Sequence, residues 1–514
     1  MQLARNFRRT VTISLLTISF SSTAFAAYES AKLNKNIPTG TDTAFVGANI
    51  VNPGLGSPIS DVTILVSKGR IVNIQPESQL IPENYSVVDI QDQWVMPGLI
   101  DGHIHLAQSG SAFTRPDTIN AVEISSYEKD QQWLLDNTAD ILEKYLKLGV
   151  TTVFDMGGPS EYFGHYQKVT SNGVFPDIYA AGTLLAPMDI PQLNINGNTF
   201  TKVTSAEEAK ALVRKQLILD SNMVKVVWSP ETGLTTKQLY DLFQPAMALA
   251  HDSGRLVAVH VEDLANAKMA IRAGADILVH GVMSDEIDNE FIQLMKDNDV
   301  TYMPTLSSYS HYFEIFKNAL EFTKHEQANG HAEITSSFAQ LTDNISKTDQ
   351  MFKIFMKYVP MVDRPAAEIA KLSAREQSIV SQLKSYFSTK LEKIQKENLK
   401  RVVNSGVNVA FGTDAGNPGT LHAASVIGEL VEWQKAGVSN EDILKAMTYG
   451  NAVALQLDKQ LGVLSAGKQA DFIILNENPY RNIMTISLPK GTVKNGIVAK
   501  PDVVHVARSE GTHE

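Results

Sequence analysis

Short apolar runs alternate with longer amphipathic segments through the middle of the chain. The segments between the runs space their apolar positions as helices do, every three to four residues. Repeated strand–helix units of this kind predict a parallel sheet covered by helices. Eight runs are predicted as strands: 95–100, 150–155, 177–181, 223–228, 256–261, 277–280, 301–306 and 407–411. Eight units predict an α/β fold closed as a (β/α)8 TIM barrel.

Both flanks of this region carry short β-like runs separated by turns. We predict strands at 44–49, 62–67, 70–75 and 86–90, and again at 470–475, 483–487 and 491–498. Ser67-Lys68-Gly69-Arg70 is a hairpin turn signal. The two flanks, 27–94 and 459–514, are therefore expected to form one small β-sandwich domain beside a barrel at 95–458.

The spacing of the barrel units is irregular at one place, where residues 307–404 separate the seventh and eighth strands. A structureless loop of that length would count against a barrel, whereas a helical insertion would not. The pattern is mostly helical. The insertion would lie beside the C-terminal face of the barrel, either as a lid or specificity cap or as a dimerisation or stability element.

The N-terminus has the three parts of an export signal. A basic start is followed by the apolar run 10–20 and by small residues at 24 and 26; the basic residues are Arg5, Arg8 and Arg9. An uncleaved membrane anchor is disfavoured because about 11 residues fall short of the roughly 20 that span a bilayer. Residues 1–26 are thus expected to be a signal peptide, with the mature protein periplasmic or secreted.

Composition narrows the chemistry. The 514 residues include no cysteine, which excludes disulfides, thiolate metal ligands, a cysteine nucleophile and a lipidated cysteine. The formal net charge of −11 argues against nucleic acid or an anionic membrane surface as the main partner. A small-molecule substrate is expected, and a homo-oligomer stays open.

Candidate metal ligands follow several predicted strands. His103 and His105 are spaced to share one face of the first strand end. They are either two ligands of a divalent metal ion or a half-buried histidine pair. His260, His280 and Asp414 end or follow the fifth, sixth and eighth runs, and the C-terminal ends of barrel strands are where barrel active sites form.

Lys225 interrupts the apolar run of the fourth strand. A charged amine is costly to bury. Lys225 therefore either extends to solvent or pairs with a carboxylate such as Asp414, or else its amine has reacted with CO2. A carboxylated lysine is an anionic carbamate that can bridge two metal ions.

These motifs resemble the amidohydrolase superfamily of metal-dependent hydrolases over residues 44–500. The pattern is similar to that of its imidazolonepropionase-like and prolidase-like branch. The motifs that carry the resemblance are Pro97-Gly98-Leu99-Ile100-Asp101-Gly102-His103-Ile104-His105, Lys225, His260, Val279-His280-Gly281, Gly412-Thr413-Asp414-Ala415-Gly416 and Gly467-Lys468-Gln469-Ala470-Asp471-Phe472-Ile473.

The resemblance implies a role for each of these residues. His103, His105 and Asp414 would bind one metal ion, His260 and His280 a second, and carboxylated Lys225 would bridge them. The ions would be Zn2+, with Mn2+ or Co2+ as substitutes. Water shared by the two ions would attack the carbonyl as hydroxide, with Asp414 as general base and then general acid.

Weaker candidates surround this set. Trp228, Ser229 and His422 are candidate substrate contacts, although His422 also fits a surface helix start. Asp101 is expected to fix the turn before the histidines, and Asp155 to act as a turn or N-cap residue.

The resulting expectation is an exported hydrolase of C–N amide bonds, of the prolidase-like dipeptidase or carboxypeptidase kind, or an N-acyl amino acid hydrolase. Hydrolysis of a cyclic amide, lactone or organophosphate is the alternative within enzymes, because the same nucleophile attacks each centre. A catalytically idle barrel used as a binding protein is the alternative of another class, and the complete ligand set argues against it.

Overall fold

The computed structural model describes residues 32–34, 38–499 and 506–507; the expected signal peptide lies outside them. The strands are β1 (Thr43–Ile50), β2 (Ile59–Ser67), β3 (Arg70–Pro76), β4 (Ser86–Asp89), β5 (Trp94–Pro97), β6 (Leu99–Ile104), β7 (Val150–Asp155), β8 (Asp177–Ala180), β9 (Leu184–Ala186), β10 (Phe200–Lys202), β11 (Met223–Val227), β12 (Leu256–His260), β13 (Ile277–His280), β14 (Thr301–Pro304), β15 (Phe472–Leu475), β16 (Gly491–Lys494), β17 (Ile497–Val498) and β18 (Val506–Ala507).

The α-helices lie mainly between the barrel strands and in the long insertion. They are α1 (Tyr127–Lys147), α2 (Phe163–Val169), α3 (Ala206–Ile218), α4 (Thr236–Asp252), α5 (Leu264–Ala273), α6 (Asn289–Asp297), α7 (Leu306–Phe316), α8 (Lys324–Asn329), α9 (Ala332–Asp343), α10 (Gln350–Tyr358), α11 (Ala366–Ile369), α12 (Ala374–Lys384), α13 (Thr389–Ser405), α14 (Val426–Lys435), α15 (Asn440–Lys445) and α16 (Asn451–Ala454). No helix in the described ranges is long and apolar enough to cross a membrane.

Parallel strands form the predicted barrel. β6, β7 and β8 pair in sequence, as do β11, β12, β13 and β14. The Asn222 N–H donates to the Ala180 carbonyl at 2.8 Å and joins the two sheets. The eighth run, 407–411, is extended and makes isolated bridges only, but it bonds to Tyr302 on one side and to Gly102 on the other, each at 3.0 Å. These contacts close the ring.

Side-chain caps set where the covering helices begin. α1, α3, α4, α5 and α6 each start after a Ser, Thr or Asp whose side chain accepts the N–H three residues on; these caps are Ser126, Ser205, Thr235, Asp263 and Asp288. Each cap satisfies one of the N–H groups that a helix start leaves without a partner. These caps therefore fix where the loop that follows each preceding strand ends.

The predicted first barrel strand, 95–100, is two strands. β5 pairs with β1 and β15 of the terminal sheet, whereas β6 pairs with β7 of the barrel. Gly98 separates them, and a Cβ at this position would lie 2.2 Å from the Thr151 hydroxyl oxygen. The close approach of the two domains thus requires glycine at the junction.

The chain termini supply nine strands that form one hydrogen-bonded network branching at β1. The predicted hairpin is present: Ser67 pairs with Arg70, and Lys68 and Gly69 have φ of 50° and 74°, as this tight turn requires. The strand predicted at 483–487 is wrong, since Ile483–Ser487 is a 3-10 helix. The Asn482 side chain accepts the Met484 N–H there and favours the turn over an extended strand.

A buried ion cluster joins the terminal sheet to the barrel. Lys494 of β16 lies 2.6 Å from Asp471 and 3.0 Å from Asp177, which is the first residue of β8. The side chains of Lys494 and Asp177 are fully buried. Because Asp177 is at the N-terminal end of its strand, the sheet packs at the end of the barrel opposite the predicted ligands.

The insertion is helical, as predicted, from α7 to α13. An aromatic cluster lies at the centre of the insertion, where Phe316 contacts Phe352, Phe355 and Phe387. Helix α13 is fastened to the barrel, because the Asn398 side chain donates to the carbonyls of Val282 and Asp285, each at 2.9 Å. The insertion is thus built onto the loop that follows β13.

Candidate active site

The six predicted ligands meet at the C-terminal end of the barrel. His103 and His105 lie at the end of β6, Lys225 is the third residue of β11, His260 and His280 are the last residues of β12 and β13, and Asp414 follows the eighth run. Five of the six border a cavity of about 450 Å³, and His103 lies fully buried beneath it.

Asp414 lies at the centre of this group. Its Oδ1 is 3.3 Å from His103 Nε2 and 3.1 Å from His105 Nε2, and its Oδ2 is 3.9 Å from His280 Nδ1. One ligand atom each of His103, His280 and Asp414 fall within 4.8 Å of one another. The His260 and His280 rings are 4.3 Å apart between centroids.

Backbone conformation turns two of these side chains toward the cavity. Asp414 and His280 have φ of 60° and 77°, a region that costs a non-glycine residue about 1 kcal/mol or more. The turn at Asp414 is held by its N–H, which donates to the His103 carbonyl at 2.7 Å. Asp101 accepts the Thr413 hydroxyl at 2.7 Å and the Thr413 N–H at 3.0 Å. Asp101 therefore shapes the turn.

Several nitrogen and oxygen atoms that could ligate a metal are buried in this group without a hydrogen bond. Among the described residues these are both ring nitrogens of His103, the Lys225 amine nitrogen and Asp414 Oδ1. A buried polar atom left unsatisfied costs about 1–3 kcal/mol. Imidazole nitrogens and a carboxylate converging in one place are the donor set that divalent ions such as Zn2+ bind. The residues thus fit a metal centre.

Burial favours the neutral forms of His103, His260, His280 and Lys225, which are the forms that can bind metal or react. It lowers the pKa of His260 to about 3, and it lowers the pKa values of His103 and His280 well below the ordinary value. Burial also lowers the pKa of Lys225 to about 7. Neutral imidazoles carry the free lone pair that a metal needs, and a neutral amine is the form that adds CO2.

Hydrogen bonds fix the orientation of two histidines. His105 Nδ1 lies 2.8 Å from the Gly157 carbonyl, so this nitrogen donates and Nε2 faces Asp414. His280 Nδ1 lies 2.9 Å from the Thr305 hydroxyl. These partners hold the rings before any ligand binds.

The cavity has two apolar walls. One comes from the barrel side and consists of Leu184, Met188, Ile190, Phe200 and Val227; the other is aromatic, comes from the insertion and consists of Tyr309, Tyr312, Phe316, Tyr386 and Phe387. The insertion therefore forms part of the cavity itself, which favours the cap interpretation. It also supplies Gln395, whose amide donates to the His280 carbonyl at 2.6 Å.

The structure separates the weaker candidates. Lys225, Val227 and Ser229 line the cavity, as alternate residues of a strand should. Trp228 has the opposite parity; it does not line the cavity, and its Nε1 donates to Asn266 at 2.9 Å. His422 is buried between the Tyr145 hydroxyl and the Gln108 carbonyl, at 3.1 and 2.7 Å, outside the cavity lining.

Sequence reasoning missed several polar residues of the cavity. Arg115 and Asp117 lie in the loop after β6, Ser308 lies in α7, and Asn417 follows Asp414 by three positions. For Arg115, Asp117 and Asn417, a place in loops after barrel strands was the available signal. Loop residues have no periodicity that tells which side chains turn inward, so the signal could not select them.

The chain belongs to the amidohydrolase family, whose sequence model matches residues 94–499. Membership makes the protein a hydrolase of carbon–nitrogen bonds with the α/β fold described above. Ochratoxinase of Aspergillus niger is 23% identical over 480 residues, which cover 86% of this chain and 83% of that enzyme.

Solved structures share the fold. A Xaa-Pro dipeptidase with methionine bound in its active site superposes with a TM-score of 0.63 at 19% identity, covering 91% of this chain and 100% of that one. The crystal structure of A. niger ochratoxinase gives 0.61 at 18% identity, covering 89% and 96%.

Proposed function

We propose that this protein is an exported, binuclear metal-dependent hydrolase of small amides, acting on dipeptides or N-acyl amino acids with bulky apolar groups. The observation that supports the proposal is the convergence of His103, Lys225 and Asp414, whose buried polar atoms lack hydrogen-bond partners among the described residues, at a cavity with two apolar walls. The names of the two similar enzymes, an ochratoxinase and a Xaa-Pro dipeptidase, agree with an amide substrate.

The six ligands divide into two sets. His103, His105 and Asp414 would hold one ion, and His260 and His280 the other, with carboxylated Lys225 between them. Bound Zn2+, or Mn2+ or Co2+ in its place, would polarise the scissile carbonyl as a Lewis acid and make water acidic enough to attack near neutral pH.

Asp414 carries the proton in the proposed reaction. Its Oδ1 has no hydrogen bond among the described residues, while Oδ2 accepts the Ser308 hydroxyl at 2.8 Å. The Asp414 carboxylate is thus placed to take a proton from water as the water oxygen bonds to the carbonyl carbon. As the C–N bond breaks, Asp414 returns that proton to the departing nitrogen.

Lys225 is proposed to be carboxylated. Its amine nitrogen bonds to the carbon of CO2 and loses a proton, which leaves an anionic carbamate. Burial lowers the pKa of this amine to about 7. A large fraction of the amine is therefore neutral near pH 7, as the addition requires. The apolar neighbours on β11 exclude the solvent that a lysine normally seeks.

Export is proposed from the sequence of residues 1–26. Processing after Ala26 would give a mature chain that begins at Ala27. N-terminal sequencing of the protein recovered outside the cytoplasm tests this; an N-terminus at Met1 would contradict it.

A substrate screen tests the proposed activity. The Zn2+-loaded protein is assayed against dipeptides, N-acyl amino acids, lactones and organophosphate esters. We expect turnover of amides with apolar substituents and at most slow turnover of the other classes. Preferential hydrolysis of lactones or phosphate esters would contradict the proposal.

A further inference from the structure

Arg115 is the one arginine that lines the cavity within the described residues, and Lys225 is the one lysine. The exposed fraction of the Arg115 side chain is 19%. An arginine in so enclosed a place is costly unless its donors are matched. Its hydrogen-bond partners therefore show which guanidinium N–H groups are already used within the protein and which could bind a ligand.

Three of the five guanidinium N–H groups have partners. Nε and Nη2 donate to the two carboxylate oxygens of Asp117, at 2.8 and 2.6 Å, and Nη1 donates to the Asn417 side-chain oxygen at 3.0 Å. Arginine carries five such donors. Two N–H groups are left without a partner among the described residues, the number that one carboxylate accepts.

Asn417 connects Arg115 by hydrogen bonds to the turn at Asp414, called the catalytic turn below. The Asn417 oxygen also accepts the Tyr312 hydroxyl at 3.0 Å, and its amide donates to the backbone carbonyl of Asp414 at 3.2 Å. The guanidinium is thus fixed relative to Asp414 on one side and to the aromatic wall on the other. A group held in this way loses little side-chain entropy when it binds a ligand.

We infer that Arg115, oriented by Asp117, is the receptor for a free carboxylate on the amine portion of the substrate. Tyr312 shares the Asn417 acceptor with Arg115, so the side chain next to that carboxylate would pack on the aromatic wall. The preferred substrates are therefore N-acyl amino acids or dipeptides with an apolar, C-terminal residue. This inference rests on the proposed amide hydrolysis and names the substrate class of that site.

Matched substrate pairs test the inference. The two members of a pair carry the same acyl group, which is acetyl, glycyl or benzoyl. In one member it is attached to phenylalanine, and in the other to 2-phenylethylamine, which is phenylalanine without its carboxylate. We expect the wild-type protein to prefer the carboxylate member, and Arg115→Met to lower kcat/KM for that member about 10- to 100-fold, mainly through KM. The carboxylate-free member should change less than about threefold.

Two further variants separate binding from folding. Arg115→Lys keeps the charge without the planar fork and should give an intermediate loss, again confined to the carboxylate member. Arg272→Met removes an exposed arginine of α5 that pairs with Glu290 and should leave both members unchanged. Thermal unfolding of each variant monitors folding.

Three outcomes are decisive. Equal losses for both members with Arg115→Met and Arg115→Lys would overturn the inference and leave amide hydrolysis standing. A wild-type preference for the carboxylate-free members would overturn it as well, and would mean that Asp117 fully satisfies Arg115. Hydrolysis of no pair by the metal-loaded wild type would overturn the proposed function.

Discussion

The hydroxyl of Ser308 donates to Oδ2 of Asp414 at 2.8 Å. This bond occupies one carboxylate oxygen and directs the other toward Nε2 of His103 and His105. Ser308 belongs to α7, the first helix of the insertion, so the insertion contacts the group that we propose moves the proton. The catalytic turn and the cap over the cavity are therefore one connected unit.

Ser308→Ala should slow turnover. Losing a hydrogen bond to a charged acceptor costs about 1.5–3 kcal/mol, so we expect kcat to fall about 10-fold or more with KM nearly constant. Steady-state kinetics on an N-acyl amino acid measures this. Ser336→Ala, on the exposed side of α9, is the matched control. An unchanged kcat in Ser308→Ala would show that Asp414 needs no such support.

Lys225→Met should separate metal binding from folding. Methionine has a similar length and no amine to leave unsatisfied, so the metal-free variant should unfold with a free energy about 1–3 kcal/mol higher than the wild type. With the proposed bridging ligand removed, the variant should bind fewer than two metal ions per chain. Urea unfolding and elemental analysis measure the two effects. Two tightly bound ions in the variant would contradict the bridging role.

Glu429 should make stability depend on pH. This buried carboxylate accepts the N–H groups of Leu306 and Ser307 at the start of α7, and burial raises its pKa to about 7 from 4.5. Between those values the folded state keeps a proton that the unfolded state has lost, so stability falls as the pH rises. The total loss is about 3 kcal/mol.

Comparison with Glu429→Gln isolates this titration. The difference in unfolding free energy between wild type and variant should change by about 3 kcal/mol between about pH 4.5 and pH 7. The pH dependence of the metal site is common to both proteins and cancels in this difference. Glu333→Gln, exposed on α9, should follow the wild type. A difference independent of pH would rule out a raised pKa at Glu429.

The sequence predicted the regular parts of this molecule because periodicity reports them directly. β7 and β13 have the predicted bounds, and the insertion is helical. The first strand was misplaced because an apolar run does not show that the chain changes sheets at Gly98. Ile483–Ser487 was misassigned because a short apolar run is ambiguous between strand and turn.

The predicted ligands share a signal that sequence carries well, a polar residue at the end of an apolar strand. Trp228 shows the limit of that signal, since one residue decides whether a side chain faces the cavity or the helices. Arg115, Ser308 and Asn417 lie in or beside loops. Their inward orientation results from hydrogen bonds between residues distant in sequence, such as Arg115 to Asn417.

Tyr386→Ala should weaken the aromatic wall without unfolding the cap. Tyr386 is 52% exposed and lines the cavity. Its backbone carbonyl, which accepts the Tyr309 hydroxyl, is kept in the variant. Loss of one aromatic contact should raise KM for substrates with an aromatic side chain about two- to tenfold. Substrates with small side chains should be unaffected. Equal KM changes for both groups would contradict a role in side-chain recognition.

We propose that a binuclear centre for amide hydrolysis is formed by His103, His105, Lys225, His260, His280 and Asp414. The rate at which chelator-treated protein hydrolyses an N-acyl amino acid, followed as Zn2+ is restored in measured amounts, tests this proposal. We predict that chelation abolishes turnover and that activity returns and saturates at two ions per chain. Turnover that survives complete removal of the metal, or that saturates at one ion, would contradict the account.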